Sequence, residues 1–432
     1  MDSLQSLYLQ LSQQLNAYRP EDRSLITALQ AESALHADLL AWLKAQPSYP
    51  QFYLHLREGE QKWGAIGEVL SFTDTNHAQD FVRQQQLPLL GGLTFDKQAD
   101  FFLPRVLLQQ SKQSLRATIF IDNRQDPETE KQAVLAVLKT FTNLTALEPI
   151  RQPVRFISQQ AEQQQWCNWV EQALKKIQQG ELSKVVLANE SRFETENPLN
   201  GCDFLAESER QNTGCYHFLF ARNAERTFLG STPERLYLRR KQRLETEALA
   251  GTAMMNGDAQ QNQAAGDWLL HDEKNVHENW LVAEGICRQL NQYADNIEIA
   301  ALELKKLRQL QHLRRKILVE LNPNCEDKDC LAAIHPTAAV SGLPPQAAMQ
   351  FLQNTENFDR TWYAGTLGII QPDQAEFCVT IRSAIIERNK ITVFAGAGIV
   401  EGSVPLLEWQ EIERKALGLV SLLNTKVENT EH

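Results

Sequence analysis

At 432 residues, with 43% hydrophobic side chains and a formal net charge of −11, the chain has the make-up of a soluble globular protein of one large or two ordinary domains. That acidity argues against nucleic acid and anionic membrane as main partners, because both select basic surfaces, but it leaves room for a local cationic pocket. Seven scattered cysteines with no CxxC, and no second Cys or His pair to complete a zinc pattern around Cys325 and Cys330, point to reduced thiols in a cytoplasmic protein.

The first residues, MDSLQSLYLQLSQQL, lack a basic n-region and do not read as a signal peptide, and no apolar run approaches a membrane span. Leu4, Leu7, Leu11 and Leu15 have helical spacing, and a second helical stretch is expected near 22–45. QFYLHLRE and KWGAIGEVLSF read as strands joined at Gly59. A helix is expected over 78–86, then the strands LLGGLTF, FFLPRVLLQQ and SLRATIFID, then a helix over 127–142 with Pro127 in its first turn. Residues 145–160 read as an irregular junction. Beyond it a helix closes at Gly180, and KVVLANESRF follows as a strand. A helix near 201–211 leads to the strands CYHFLFA, RTFLGST, RLYLRR and LETEALAGT. Helices are expected to dominate 262–294 and 301–321, with another near 345–353 after a Pro- and Gly-containing loop. WYAGTLGII, EFCVTIRSAIIE and KITVFAGAGI read as strands, and a helix over 405–423 closes the fold. Strands adjoin strands and helices come in blocks, which favours α+β with large antiparallel β-sheets packed against helices over a doubly wound fold. The division expected is 1–155, 156–424 and a polar tail at 425–432, with the first part completing the sheets, since no flexible linker sets it apart.

Several polar residues stand out in the last 250 positions. Lys184 opens the apolar strand KVVLA, either at an exposed strand start or beside a cleft; as a base it would need burial or a nearby cation to hold it neutral. Glu234 follows Pro233 after TFLGST and reads either as a turn residue paired with Arg235 or Arg239 or as a partly buried general acid. Glu278 falls outside the apolar arc of its helix, which suits a solvated face. Glu408, Glu411 and Lys415 share one helix face, as an ordinary surface pair or as part of a hard-cation site, where few carboxylates with substrate oxygens and water suit Mg²⁺. FAGAGIVEG is not a dinucleotide fingerprint: position 401 is Glu, and Pro405 intervenes before any helix. Its amides around Gly396, Ala397 and Gly398 are candidates for an anion nest. Arg382, in the middle of the apolar strand FCVTIRSA, would grip a carboxylate if it faced a cleft. His217 and His335 read as hydrogen-bonded core or rim groups, and Ser231 and Ser341 lack a nucleophile-elbow pattern.

In their order, KVVLA, TPERL, LAGT, HENWLVAEGI, PTAAVSG, WYAGTLG, FCVTIRSA, AGAGIV and EWQEIERKA resemble the chorismate-utilising enzymes over about 180–420. TEALAGT, QHLRRKI and PTAAVSGLP, with YPQFYLHLRE near the N-terminus, are most similar to the menaquinone-pathway isochorismate synthases. The resemblance implies that 156–424 is a chorismate-binding catalytic region. It implies Lys184 as the base that activates water, Glu234 as the acid that protonates the departing C4 hydroxyl, and Glu278 and Glu411 as holders of Mg²⁺ against the ring carboxylate. The place of Glu408 among the metal ligands is left open. Tyr363, Arg382, Lys415 and the segment Gly396, Ala397, Gly398 would bind carboxylates, with Gly251, Thr252 and Ala339 lining the pocket. Relatives that attack with a lysine carry it in the slot of Ala250, and ammonia-using relatives carry Thr or Ser in the slot of Ala339. Water is therefore the implied nucleophile, and no obligatory amidotransferase subunit is implied; a monomer is compatible with this. The competing readings are a salicylate synthase, a siderophore-pathway isochorismate synthase, and a catalytically silent binding protein of the same fold.

Overall fold

Among the described residues every strand pairing is antiparallel, and the pairings form one continuous ladder that branches into two arms at the strand Ala99–Gln110. The structure, a computed structural model, describes residues 3–19, 24–150, 152–255, 258–307 and 310–421. One edge of Ala99–Gln110 pairs with Lys62–Phe72; the other edge is shared between Leu89–Leu93 at its start and Leu115–Asp122 at its end. The first arm runs from Lys62–Phe72 through Gln51–His55, Tyr216–Ala221, Thr227–Thr232, Ser383–Glu387 and Lys390–Ile399 to Lys184–Thr195. The second runs from Leu89–Leu93 through Thr366–Ile370, Gln374–Val379, Arg235–Arg240 and Arg243–Met254 to Leu310–Leu321. Strands from the first hundred residues thus sit inside both arms, hydrogen-bonded to strands from the C-terminal half.

With eleven α-helices among the described residues, this is the α+β architecture expected from blocks of strands and blocks of helices. Helices Ser3–Ala17, Gln163–Gln178, Glu273–Leu290 and Pro405–Val420 each bury an apolar stripe on the sheets. No helix among the described residues is long and apolar enough to cross a membrane.

Four sequence expectations change. The helix expected near 22–45 is only Leu39–Lys44; Ile26–Ser33 is a strand, because its full-length pairing with Leu115–Asp122 outweighs the helix-forming residues it contains. Residues 301–321 hold the strands Glu303–Lys306 and Leu310–Leu321 rather than a helix. Leu310, Leu313, Ile317 and Leu321 have helix-like spacing, yet Ile317, Val319 and Leu321 are buried in the two-residue alternation of a strand. The junction at 145–160 contains the strand Val154–Gln159, paired with the end of Lys184–Thr195. EFCVTIRSAIIE is two strands, Gln374–Val379 and Ser383–Glu387, so Arg382 lies in the bend between them and not mid-strand, at φ +50°. The tail at 425–432 and the end of the helix expected over 405–423 lie outside the described residues.

The second arm leaves the branch strand through a close approach at Gly91 and Gly92. A Cβ on Gly91 would strike the Asp100 carbonyl, and one on Gly92 the Thr366 carbonyl, so only glycine lets Leu89–Leu93 lie between its neighbours. Gly92→Ala is expected to destabilise the protein by more than about 2 kcal/mol, through backbone displacement that cannot be relieved by a rotamer change. Denaturant unfolding would measure this, and a midpoint equal to that of the unmodified protein would show that the two strands part freely.

Candidate active site

The chain passes between the arms at two short links, and each delivers a functional side chain. Thr227–Thr232 ends the first link's approach and Arg235–Arg240 begins in the other arm, with Glu234 between them. Gln374–Val379 and Ser383–Glu387 make the reverse passage, with Arg382 between them. Both line a cleft that is roofed by helices Glu273–Leu290 and Pro405–Val420. The same cleft is lined by Gly251, Thr252, Glu278, Ala339, Tyr363, Gly396, Gly398, Glu408, Glu411 and Lys415. Gly251 falls in the register shift between Leu249 and Thr252, the kind of bulge that re-aims neighbouring side chains.

Lys184 is 1% exposed, and its Nζ lies 2.9 Å from Glu278 Oε1. A Cβ on Gly398 would collide with that carboxylate and lie 3.1 Å from Lys184 Cε, so the glycine leaves the space in which the pair forms. Two more glutamates of the cleft hold lysines: Glu408 accepts from Lys274 Nζ at 2.8 Å, and Glu411 pairs with Lys415 Nζ at 2.7 Å. Lys415 Nζ also donates to the Gly396 carbonyl at 2.8 Å. Burial pushes Glu408 up from the usual carboxylate range, with Lys274 pulling back. For Glu411, burial acts in the same sense but Lys415 outweighs it and holds the carboxyl below that range.

Glu234 is buried and differs from the other three, because it has no lysine on its carboxyl group. Burial first, and then the charge of Glu247, raise its pKa to about 8, against the opposing pull of Lys184, Lys305 and Arg382. It is therefore a neutral carboxylic acid at neutral pH, with a proton to give.

Arg382 is aimed by a residue that the sequence reading did not single out. Its Nη2 donates to His312 Nε2 at 2.8 Å, and His312 Nδ1 lies 2.9 Å from Thr252 Oγ1. Burial and the Arg382 charge pull the His312 pKa well below its ordinary value, so the ring is neutral. With Nε2 accepting, Nδ1 carries the proton and donates to Thr252. His312 escaped notice because Leu310–Leu321 was expected to be a helix; the available signal was the alternation of Ile317, Val319 and Leu321 further along the same strand. Lys274 and Asn275 also line the cleft and were missed; Lys274 lies four residues before Glu278 on one helix face. Tyr363 is buried with its pKa pushed to about 12, chiefly by burial, and its ring stacks on Phe394 at 5.0 Å.

Two expectations about FAGAGIVEG do not hold. Gly396, Ala397 and Gly398 form no anion nest: they lie extended in Lys390–Ile399, paired with Ala188, Leu187 and Val186, and successive amides in a strand point to opposite edges. Ala397 does not line the cleft; strand alternation turns it into the core, where it is 1% exposed. His217 and His335 are buried, bonded to Ser231 Oγ at 2.7 Å and the Thr94 carbonyl at 2.8 Å.

Whether these residues suit a metal ion can be judged from the donor set. Among the described residues no three His, Cys, Asp or Glu side chains converge as a ready-made cage. Glu278 and Glu411 do face the same cleft from two helices, each with only Oε1 committed to a lysine. One or two carboxylates with the remaining positions left to substrate oxygens and water fit Mg²⁺, a hard cation that keeps much of its hydration. The residues present fit the group.

Comparisons with known proteins agree with one another. A family model described as "Chorismate binding enzyme" matches residues 91–424. An isochorismate synthase, MenF, of Pasteurella multocida is 57% identical over 427 residues, covering 98% of this chain and 99% of its own. The MenF of Haemophilus influenzae is 49% identical over 414 residues, covering 96% and 95%. The solved structure of the menaquinone-specific isochorismate synthase of Escherichia coli superposes with a TM-score of 0.93 at 37% identity, covering 98% of this chain and all of that one.

If burial governs Glu234, its carboxyl should titrate near pH 8, being neutral below and charged above. The carboxyl carbon shift of ¹³C-glutamate-labelled protein, with Glu234→Gln to assign the resonance, would follow it. A midpoint in the ordinary carboxylate range would show that water reaches the group.

Proposed function

This chain belongs to the family of chorismate-binding enzymes, and we propose that it is an isochorismate synthase that supplies menaquinone synthesis. The observation that carries the reading is a buried carboxylic acid in the cleft wall, Glu234, whose pKa is raised to about 8, together with a buried lysine, Lys184, which is not itself in the lining but meets the wall through Glu278 and beside Gly398. Chorismate and isochorismate differ by the position of one hydroxyl, so the reaction needs a base at C2 and an acid at C4. Lys184 rests in an ion pair with Glu278, and it is after giving up the proton of that pair that its amine takes one from water as the water oxygen bonds to C2. Both ring double bonds shift by one position, C1=C2 to C1=C6 and C5=C6 to C4=C5, the C4–O bond breaks, and Glu234 gives its proton so that the hydroxyl leaves as water. No atom is gained or lost overall, and the same two groups run the reverse reaction with their roles exchanged.

The substrate is a dianion in an acidic protein, so its binding depends on local cations. Arg382, fixed by neutral His312, is placed to grip one carboxylate, and Lys415, tied to Gly396 and Glu411, brings a second charge to the same wall. Tyr363 and Thr252 add hydroxyl groups. Glu278 and Glu411 would hold Mg²⁺, with Glu408 close by. The ion supplies positive charge to the ring carboxylate when bound. Ala250 and Ala339 line the cleft without an amine or a hydroxyl, which leaves water as the nucleophile. No amidotransferase subunit is then required, and the enzyme works in the cytoplasm as a single chain.

Product analysis tests the reading. Incubated with chorismate, the protein should yield, only with Mg²⁺, a product of unchanged mass and different retention time, with no pyruvate. Salicylate with pyruvate would make it a salicylate synthase, and an amino product with ammonium salt would overturn the choice of water. Lys184→Ala should lower turnover by roughly a hundredfold or more, as expected for loss of a general base, while leaving the circular dichroism spectrum intact. Near-normal turnover in that variant would remove Lys184 from the role of base.

A further inference from the structure

The two peptide groups that flank Glu234 are held by side chains outside the cleft lining. The peptide before it has its carbonyl, that of Pro233, accepting from Arg57 Nη1 at 2.6 Å and from Lys305 Nζ at 2.7 Å. Its N–H donates to Thr232 Oγ1 at 3.3 Å. The peptide after it has its carbonyl accepting from Val379 N at 3.1 Å, and its N–H, that of Arg235, donates to Glu247 Oε1 at 3.3 Å. Four hydrogen-bonding groups on two peptide planes are thus all engaged, which fixes the backbone torsions of Glu234 and with them the direction of its side chain.

Arg57 and Glu247 are also joined to each other, and Lys305 meets Arg57 at the Pro233 carbonyl that both hold. Arg57 forks onto both oxygens of Glu247, through Nη1 to Oε1 and through Nη2 to Oε2 at 3.1 Å, and its guanidinium lies 5.4 Å from the centre of the Tyr216 ring. Arg57 and Glu247 side chains are each 3% exposed, and Lys305 is buried beside them. Burying charges in this number costs more stability than an apolar filling would, so an apolar turn would serve mere cohesion better. Arg57 comes from the segment after Gln51–His55, Glu247 from Arg243–Met254 and Lys305 from Glu303–Lys306.

We propose that Arg57, Glu247 and Lys305 form a positioning clamp for Glu234, in which the N-terminal part of the chain and the second arm together aim the side chain that donates the proton. The inference rests on Glu234 being the acid of the proposed reaction. The clamp also sets the charge around that acid. The groups facing Glu234 are Glu247, which raises its pKa, and Lys184, Lys305 and Arg382, which lower it. Burial would raise the Glu247 pKa, but Arg57 and Lys305 outweigh it and keep the carboxylate ionised. Burial brings Lys305 down to about 7, against the pull of Glu247, so its positive charge is fading where Glu234 has to stay protonated.

The test compares Glu247→Gln and Glu247→Asp with the unmodified enzyme, using kcat, KM and the pH profile of kcat with chorismate as substrate. Glu247→Gln is expected to lower kcat roughly tenfold or more, as misaimed catalytic groups do, with KM changed less than about twofold. Losing the negative charge beside Glu234 should also move the basic limb of the profile down by about one pH unit. Glu247→Asp keeps the charge but shortens the grip, so kcat should fall while the limb stays in place. The clamp is overturned if Glu247→Gln retains normal kcat and an unmoved limb, or loses activity only in proportion to the unfolded fraction seen in a thermal melt. Should Glu247→Gln not fold, Glu247→Asp decides: a lowered kcat with unchanged KM and limb supports the clamp, and normal kcat overturns it. Glu234→Gln keeps the two readings apart, because normal turnover there would sink the acid assignment itself, whatever the Glu247 variants do.

Discussion

The cleft depends on one buried ion pair, Lys184 to Glu278 at 2.9 Å, formed over a glycine. A lysine that is 1% exposed requires a counter-charge, and helix Glu273–Leu290 must sit where Glu278 can supply it. That fixes the position of the helix, one wall of the cleft, against the strand Lys184–Thr195. Removing Glu278 would leave the Lys184 charge buried and unpaired, at a cost of about 3–5 kcal/mol, whereas removing Lys184 leaves a carboxylate that faces the cleft. The absence of a side chain at Gly398 is therefore as much a part of the cleft as the two charges. The other two lysine–glutamate pairs, on Glu408 and Glu411, repeat the device on the facing helix, and the wall becomes a mosaic of fixed charges of both signs.

Topology explains why the catalytic candidates are so far apart in sequence. A sheet that branches has to send its chain across the gap between arms, and the crossing residues touch the ladders only at their ends, through the Glu234 and Arg382 carbonyls. Glu234 and Arg382 occupy the two crossings. Both are short, so the side chains are held by strands on each side, and Arg382 adopts a left-handed backbone, which is strained for a residue with a Cβ. The strand ends thus supply rigidity, and the links supply freedom to point inwards.

Much of this was legible in the sequence, for definable reasons. Long apolar strands bounded by Gly or Pro, such as KVVLA and KITVFAGAGI, declare themselves by composition, and the antiparallel α+β class follows from their blocks. The cleft brings together Glu234, Glu278, Arg382, Glu411 and Lys415, which stood out as polar residues in apolar or Gly-marked segments. What misled was period. Leu310–Leu321 carries apolar residues at helical intervals as well as in strand alternation, and only its pairing with Arg243–Met254 decides between them. With a helix expected over 301–321, both His312 in that strand and Lys305 in Glu303–Lys306 were hidden. The bend at Arg382 was equally invisible, because apolar residues continue on both sides of it. Neither the clamp on Glu234 nor its Arg57 could be read locally, since 177 positions separate Arg57 from Glu234 and only the sheet brings them together.

The electrostatics then explain how one cleft can hold a base, an acid and a dianion in a protein with a net charge of −11. Three of its four glutamates are matched by lysines, so their charges are largely cancelled before any ligand arrives. The fourth, Glu234, is kept uncharged by burial and by Glu247, and so adds no repulsion. Arg382 lies against a histidine that is itself neutral, so its charge is oriented without being cancelled. The balance within the cleft is thus positive by about one unit even though the surface is acidic, and it resides on groups that face the substrate. A lysine paired with Glu234 in the same fashion would keep this cleft attractive to anions but would strip the acid of its proton. The separation of Glu234 from the lysines, with its peptides gripped from behind instead, is what allows binding charge and acid chemistry to occupy the same space.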